Sequence, residues 1–127
     1  MDVLETLQQR GFIQQSTGID SLRAALAEGP VTFYAGFDPT ATSLHVGHLV
    51  PVYLMAWLQR AGHRPIAIVG GGTAMVGDPS GKTEMRQMLS DGQIAENTAA
   101  LQRQLGLLLD FSDGKALLLN NADWLCE

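Results

Sequence analysis

The sequence has little cysteine and few aromatic residues, and it has no long apolar run. Its 127 residues include one cysteine, Cys126, so no disulfide can form within the chain, as is typical of intracellular proteins. No apolar run approaches the roughly 18–20 residues that a membrane span needs. No basic segment followed by an apolar stretch opens the chain, as it would in a signal peptide. We therefore expect a cytoplasmic protein that makes no membrane contact.

Basic residues are also few. Eight Lys and Arg against 13 Asp and Glu give a formal charge of −5, which argues against a dedicated nucleic-acid-binding domain. Hydrophobic residues still make up 46% of the chain, which excludes a disordered protein. The length suits one domain, or part of one, at about 100–150 residues. Glycine is abundant instead, with 14 residues that cluster in a few places.

Two short helices are predicted at the start of the chain. Apolar residues between positions 3 and 12 recur at helical spacing, and Gly11 is a plausible end of the first helix. Asp20 is expected to cap the second helix, which ends at residues 29–30. Residues 1–30 are therefore interpreted as an N-terminal helical segment.

Short apolar runs at 31–37, 65–69 and 116–119 predict three buried strands separated by helical sequence. This order indicates a parallel sheet with right-handed crossovers. The fold class is therefore α/β, with a Rossmann-like nucleotide-binding sheet. Three parallel strands leave an exposed edge, and residues 121–127 resemble the first turn of a helix. We therefore expect residues 31–127 to form the N-terminal half of a larger domain.

The helix predicted between the first two strands, residues 44–61, contains Pro51. Proline is tolerated in the first turn of a helix but disrupts its interior. We therefore expect this helix either to start late or to bend at Pro51. The helix before the third strand should carry Leu101, Leu105 and Leu108 on one face.

Ligands bind at the carboxyl ends of the strands in an open parallel sheet. The first loop there contains His45-Val46-Gly47-His48 at a helix start, with both histidines on one face. Backbone amides at a helix N-terminus point at anions, and Gly47 lets a ligand approach, so the segment suits a phosphate or nucleotide. Two alternatives stay open. The pair could hold a metal, although no third ligand is evident nearby, or it could be structural.

The second loop contains Gly-Asp-Pro-Ser-Gly-Lys-Thr at 77–83, which resembles the end of a P-loop. A Walker A motif needs a glycine five positions before its last glycine, and Val76 stands there. A P-loop-like ATP phosphohydrolase is therefore the alternative enzyme class. Lys82 and Arg86 could close over a polyphosphate or could form a solvated helix face.

Four segments in order carry a resemblance to a known family. They are Tyr-Ala-Gly-Phe-Asp-Pro-Thr at 34–40, Ser-Leu-His-Val-Gly-His-Leu at 43–49, the glycine-rich stretch 69–82, and Asn-Asn-Ala-Asp-Trp at 120–124. Together they resemble the start of the catalytic domain of bacterial tyrosyl-tRNA synthetases, whose class I "HIGH" signature takes the form His-Val-Gly-His. The resemblance covers essentially the whole chain. Tryptophanyl-tRNA synthetase is the next most similar family.

The resemblance implies a two-step reaction. The carboxylate of L-tyrosine attacks the α-phosphate of Mg-ATP, tyrosyl-adenylate forms, and pyrophosphate leaves. The tyrosyl group then passes to the 3′ end of tRNA(Tyr). The resemblance also implies that ATP is used with Mg²⁺, for which the sequence identifies no protein ligands, and that the full-length enzyme is a homodimer.

The resemblance assigns roles to residues that pattern alone leaves ambiguous. By pattern, Tyr34 suits a core aromatic and Asp78 a turn residue before proline. In the family, Tyr34 would bond the substrate phenol and Asp78 its ammonium group. The tyrosine-binding set implied is Tyr34, Gly36, Thr73, Asp78, Asn121 and Trp124. The ATP-binding set implied is Asp38, Thr40, His45, Gly47 and His48. The catalytic set implied is Thr40, His45, His48, Lys82 and Arg86.

Two features depart from the family pattern. The second signature, Lys-Met-Ser-Lys-Ser, does not occur in the 127 residues. Ala35 stands where many relatives carry cysteine, so one possible ribose contact is lost. A non-catalytic interaction module, derived from a synthetase and binding a partner through its exposed sheet edge, is therefore a further alternative.

Overall fold

The computed structural model describes residues 2–39, 41–72 and 90–125. Within these ranges, helices and strands follow one another in the predicted order, with a short 3₁₀ turn at Ser112–Gly114. The helices are α1 Val3–Gln9, α2 Ile19–Glu28, α3 Val46–Arg60, α4 Asp91–Leu105 and α5 Ala122–Leu125. The strands are β1 Thr32–Phe37, β2 Arg64–Val69 and β3 Leu117–Asn120.

The three strands form one parallel sheet in the order β1-β2-β3. The predicted α/β class and parallel sheet are thus confirmed. The third strand lies one residue later than predicted, because Asn120 still pairs with Val69 while Ala116 precedes the ladder. In the final row of the sheet, Phe37, Val69 and Asn120 are register partners. The three strands therefore end level with one another.

One face of the sheet packs on α3 and α4 and forms the main core. Side chains alternate between faces along a strand, so β1 contributes Phe37 and β2 contributes Ala67 to the same face. Both helices follow one strand and precede its parallel neighbour, and residues of both pack in this one core. The buried residues of this core are Phe37, Val52, Met55, Ala67, Leu105 and Leu109.

The N-terminal helices add a smaller cluster, in which Leu4 and Leu7 of α1 pack on Leu58 of α3. Helix α1 begins where the Asp2 carboxylate accepts a 2.9 Å hydrogen bond from the Leu4 amide. The prediction that Asp20 caps α2 is wrong. Gly18 occupies that position with a φ of 63°, a conformation that glycine adopts at low cost, and Asp20 lies in the first turn.

Helix α3 begins at Val46 and continues through Pro51 to Arg60. Its start is two residues later than predicted, and the proline remains inside it. Proline lacks the amide that would donate to the carbonyl four residues earlier. Here that carbonyl belongs to Gly47, which is exposed in the first turn of the helix. On α4 the predicted apolar face is confirmed for Leu101 and Leu105. Leu108 lies beyond its end.

None of the described helices combines the length and the apolar character needed to cross a bilayer.

Candidate functional site

The level ends of the three strands bring three chain segments to one edge of the sheet. Two backbone hydrogen bonds continue the ladder past the strands, from the Gly70 amide to the Phe37 carbonyl at 2.8 Å and from the Asn121 amide to the Val69 carbonyl at 2.9 Å. The residues that follow, Asp38 after β1 and Asn121 after β3, therefore emerge at the same edge. This is where an open parallel sheet binds ligands.

The start of α3 is held by its own two histidines. His45 Nδ1 accepts a hydrogen bond from the Gly47 amide, and His48 Nδ1 accepts one from the His45 amide, each at 3.0 Å. The two rings stack with their centroids 3.8 Å apart. This is a reciprocal capping box in which imidazoles stand where Ser and Glu are usual. A neutral ring that accepts at Nδ1 carries its proton on Nε2, so both rings offer an N–H donor.

This arrangement changes one expectation about anion binding. The amides of His45 and Gly47 already donate to the imidazoles, and the His48 amide donates to the His45 carbonyl at 3.0 Å. A ligand that approaches this helix start therefore meets the rings before these amides. A Cβ at Gly47 would stand 2.8 Å from His45 Cε1, so only glycine lets the His45 ring fold back over the first turn.

The local electrostatics favour the uncharged form of His48. Partial burial lowers the pKa of His48 below its ordinary value of 6.5, the neighbouring His45 ring lowers it further, and Asp38 opposes both effects. The ring centroids of Phe37 and His48 lie 6.3 Å apart, so the end of β1 and the start of α3 face each other. A neutral His48 donates a hydrogen bond without carrying a full charge.

Two residues of α4 hold the loop between β1 and α3, which spans residues 38–45. The side-chain amide of buried Asn97 donates to the Pro39 carbonyl at 2.8 Å. Gln104 accepts from the Leu44 amide at 2.6 Å and donates to the Ser43 hydroxyl at 3.1 Å. Sequence reasoning missed both residues. The signal for Asn97 was a polar residue inside the apolar stripe of α4.

Asn120 and Asn121 organise the third segment. Asn120 accepts at its side-chain oxygen from the Ala122 amide at 3.0 Å and so caps α5, the helical turn predicted here. Asn121 accepts in the same way from the Gly72 amide at 2.7 Å and ties this segment to the end of β2. A Cβ at Gly71 would stand 2.8 Å from the Asn120 side-chain nitrogen, so the close approach of the two segments requires glycine there.

The other face of the sheet carries the residues expected to meet the substrate. Tyr34 is 72% exposed on β1, so the pattern-based interpretation of a core aromatic is wrong. Gly36 lies two residues along on the same face, and no protein atom lies within 4 Å of where its Cβ would be. Trp124, on α5, is half exposed.

Five of the predicted site residues lie outside the described ranges. These are Thr40, Thr73, Asp78, Lys82 and Arg86.

A metal centre needs several ligand side chains that converge on one point. Within residues 2–39, 41–72 and 90–125, no three His, Cys, Asp or Glu side chains gather around one point. The His45 and His48 Nδ1 atoms both accept backbone hydrogen bonds, and each Nε2 then carries a proton. A metal ligand must be an unprotonated nitrogen, so this pair does not fit a metal as it stands.

The parallel sheet with a His-x-Gly-His helix start at its carboxyl edge falls within a known protein family. The family model described as tRNA synthetases class I (W and Y) matches residues 26–127. The chain therefore belongs to the class I tRNA synthetases of the tryptophan and tyrosine type.

Individual relatives within that class are ligases for tyrosine. The chain is 57% identical over 124 residues to the tyrosine–tRNA ligase of Clostridium beijerinckii, covering 98% of this chain and 30% of that protein. It is 58% identical over 125 residues to that of Desulfosudis oleivorans, covering 98% and 29%. The chain thus spans about 30% of the length of the curated relatives that it matches.

The fold agrees with solved structures of the same class. A C-terminally truncated mitochondrial tyrosyl-tRNA synthetase of Aspergillus nidulans superposes with a TM-score of 0.82 at 30% identity, over 99% of this chain and 39% of that one. The corresponding protein of Coccidioides posadasii gives 0.78 at 28% identity, over 100% and 37%.

Proposed function

We propose that this chain forms the part of a tyrosine–tRNA ligase that binds tyrosine and ATP and activates tyrosine to tyrosyl-adenylate. The complete enzyme then transfers the tyrosyl group to tRNA(Tyr) in the cytoplasm. The observation that carries the proposal is a capped His45–His48 pair at the same sheet edge as an exposed strand face bearing Tyr34 and Gly36.

The ATP side lies at the start of α3 in this proposal. The Nε2 protons of His45 and His48 donate to phosphate oxygens or to the ribose, and Gly47 keeps the backbone open to the nucleotide. Asp38, whose charge raises the pKa of His48, contacts the nucleotide from the end of β1. Neutral donors held in place before ATP binds stabilise charge that develops on the phosphate without reorganising. Mg²⁺ enters with ATP and neutralises its phosphates.

The tyrosine side lies on the exposed face of β1 and at the end of β3. The Tyr34 hydroxyl bonds the phenol of the substrate, a contact that phenylalanine cannot satisfy. Gly36 gives the substrate ring room to lie against the strand. Asn121 and Trp124 close the pocket from the third segment. By resemblance, Thr73 and Asp78 complete it, with Asp78 on the ammonium group.

The catalytic step in this proposal is one of orientation and charge stabilisation, because the tyrosine carboxylate is itself the nucleophile. The tyrosine oxygen attacks the α-phosphorus, and the bond to the pyrophosphate oxygen breaks. Thr40 and His45 hold the polyphosphate in the transition state. Lys82 and Arg86 close over the departing pyrophosphate.

The wider assembly follows from the same proposal. Residues 1–30 form a helical segment, and residues 31–127 form the N-terminal half of the catalytic domain. Most contacts with tRNA, and the homodimer interface, belong to other parts of the complete enzyme. The acidic charge of −5 agrees with a small RNA-binding surface in this portion.

Calorimetry on the chain tests both sides separately. The wild type should bind tyrosine more tightly than phenylalanine, and Tyr34→Phe should remove this preference, because one hydrogen bond is worth about 0.5–1.5 kcal/mol, or roughly two- to twelvefold in affinity. His45→Ala should lower the affinity for ATP and leave the affinity for tyrosine unchanged. Equal binding of tyrosine and phenylalanine by the wild type would contradict the tyrosine assignment. Absence of any ATP binding at millimolar concentration would contradict the nucleotide assignment.

A non-catalytic interaction module is the second candidate, and the exposed sheet face favours it. Tyr34 is 72% and Leu119 38% exposed on this face, which a partner could cover. Sedimentation at increasing concentration, with and without ATP and tyrosine, distinguishes the two functions. Self-association that is the same with and without ATP and tyrosine would favour the interaction module.

A further inference from the structure

The loop of residues 38–45 joins the two halves of the proposed ATP site, since it begins at Asp38 and ends at His45. It lies between β1 and α3. Its last residue, His45, is held by the capping box of α3, whereas Pro39 and Leu44 lie outside both the strand and the helix. A loop of this kind costs ordering entropy when a ligand binds, unless other contacts have already fixed it. What holds the loop therefore affects how well the site is organised before ATP arrives.

Asn97 fixes the first end of this loop. It occupies a position on the apolar stripe of α4, between Ile94 and Leu101, and is only 6% exposed. A buried amide at such a position is costly unless it is hydrogen-bonded. Its donor meets the Pro39 carbonyl at 2.8 Å, and the Pro39 side chain is itself fully buried.

Gln104 fixes the second end. Its side-chain oxygen accepts from the Leu44 amide at 2.6 Å and its nitrogen donates to the Ser43 hydroxyl at 3.1 Å. Leu44 directly precedes His45, so this contact lies one residue before the capping box. Both atoms of one side-chain amide are used, which sets the position and the orientation of the backbone together.

The two side chains come from one rigid element. Asn97 and Gln104 are seven residues apart, about two helical turns, and so lie on the same side of α4. Between and beside them, Leu101 and Leu105 are buried at 1% and 0% exposure and anchor α4 in the protein. The loop is therefore held at both ends by a helix that the core fixes in place.

We propose that Asn97 and Gln104 are positioning residues for ATP: from one side of α4 they fix both ends of the loop 38–45 and thereby set where Asp38 and His45 meet the nucleotide. This inference rests on the proposed function for its ligand. The proposed tyrosine-binding residues on β1 and after β3 take no part in these hydrogen bonds. Loss of the hydrogen bonds should therefore lower the affinity for ATP and not the affinity for tyrosine.

The test uses matched variants of the 127-residue chain. Gln104→Met removes both hydrogen bonds at similar length. Gln104→Glu keeps an acceptor for the Leu44 amide and offers the Ser43 hydroxyl an oxygen to which it can donate. Gln102→Met makes the same chemical change at an exposed position of the same helix and is the control. Asn97→Asp removes the donor at the other end.

Two readouts are measured on each folded variant: hydrogen exchange of the Leu44 amide, and affinities for ATP and for tyrosine. We expect Gln104→Met to speed exchange of the Leu44 amide and to lower the affinity for ATP, each by about three- to tenfold, the size expected for lost hydrogen bonds. Tyrosine affinity should stay unchanged, Gln104→Glu should restore slow Leu44 exchange, and Gln102→Met should match the wild type. If Asn97→Asp does not fold, the Gln104 series decides the matter.

Four outcomes would overturn the inference or separate it from the proposed function. Unchanged Leu44 exchange in Gln104→Met would show that Gln104 does not hold the loop. Faster exchange with unchanged ATP affinity, or equal weakening of ATP and tyrosine, would overturn the positioning role. A wild-type chain that binds no ATP would instead contradict the proposed function and with it the nucleotide part of the inference, while Leu44 exchange would still decide whether Gln104 holds the loop.

Discussion

The two faces of the sheet come from the same three strands and differ sharply. On β1, Phe37 is 3% exposed under α3 and α4, whereas Tyr34, three residues earlier and on the opposite face, is 72% exposed. The buried face carries closely packed apolar side chains. The exposed face carries an aromatic hydroxyl and a glycine beside open space. Residues on one face of the strand stabilise the fold, and residues on the other face are those proposed to bind ligand, so single substitutions should affect one property without the other.

The largest difference is expected between the two aromatic residues of β1. Phe37→Ala should lower the free energy of unfolding by about 3–5 kcal/mol, because it opens a cavity in the core. Tyr34→Ala should change it by less than about 0.5 kcal/mol, as for an exposed position. Urea unfolding followed by circular dichroism measures both. Similar losses in the two variants would show that the faces are not distinct.

Gly36→Ala should have the opposite effect to Phe37→Ala: it should weaken ligand binding and leave stability unchanged. No protein atom lies within 4 Å of the added methyl group, and the backbone is ordinary strand, so the midpoint of urea unfolding should not fall. Tyrosine binding should weaken by about tenfold or more, since the methyl group would occupy the space proposed for the substrate ring. ATP affinity is the internal control. Unchanged tyrosine affinity would argue against a substrate on this face.

His45→Ala should have an intermediate effect on the fold, because it removes the cap of α3. Loss of an N-cap costs about 1 kcal/mol. His45→Asn keeps a side-chain oxygen that can accept from the Gly47 amide, and it should recover most of that loss. The unfolding free energies of the three proteins test this. If both variants match the wild type, the histidine capping box contributes nothing to stability.

The smallest effect is a dependence on pH through His48. Its pKa is lowered in the folded protein, first by burial and then by His45, so the folded state favours the neutral ring. The stability that this preference for the neutral ring contributes is present above the ordinary pKa of 6.5. It is lost as the pH falls from 6.5 through the folded-state pKa. His48→Asn retains an acceptor but does not titrate. The wild type should therefore lose thermal stability relative to His48→Asn below pH 6.5, and parallel curves would contradict this.

The sequence predicted the elements that depend on local pattern. Each strand is a short apolar run that ends in a polar or glycine-rich turn, and all three strands lie within one residue of their predicted ends. The His45–His48 helix start follows from a motif whose residues stand together in the chain, whereas pattern alone placed Tyr34 in the core and the family resemblance gave it a role at the substrate. These features required no knowledge of distant contacts.

Three other features were not predicted, because they arise from distant contacts, from unusual chemistry or from a competing signal nearby. Asn97 and Gln104 bond to loop residues 58 and 60 positions away, and such pairs leave no periodic signal. The capping box of α3 uses imidazoles, whereas sequence rules look for Ser, Thr, Asp or Asn at that position. The Gly18 start of α2 was missed because the nearby Asp20 matches the usual rule better.

The central claim is that ATP and tyrosine meet different parts of one sheet edge, and residue-resolved NMR tests it most directly. The amide resonances of the chain would be followed while ATP and tyrosine are added separately. We predict that ATP shifts Asp38 and the residues of 44–48, and that tyrosine shifts those around Tyr34, Gly36 and Asn121. Shifts by both ligands at a single other surface, or none at millimolar concentration, would contradict the account.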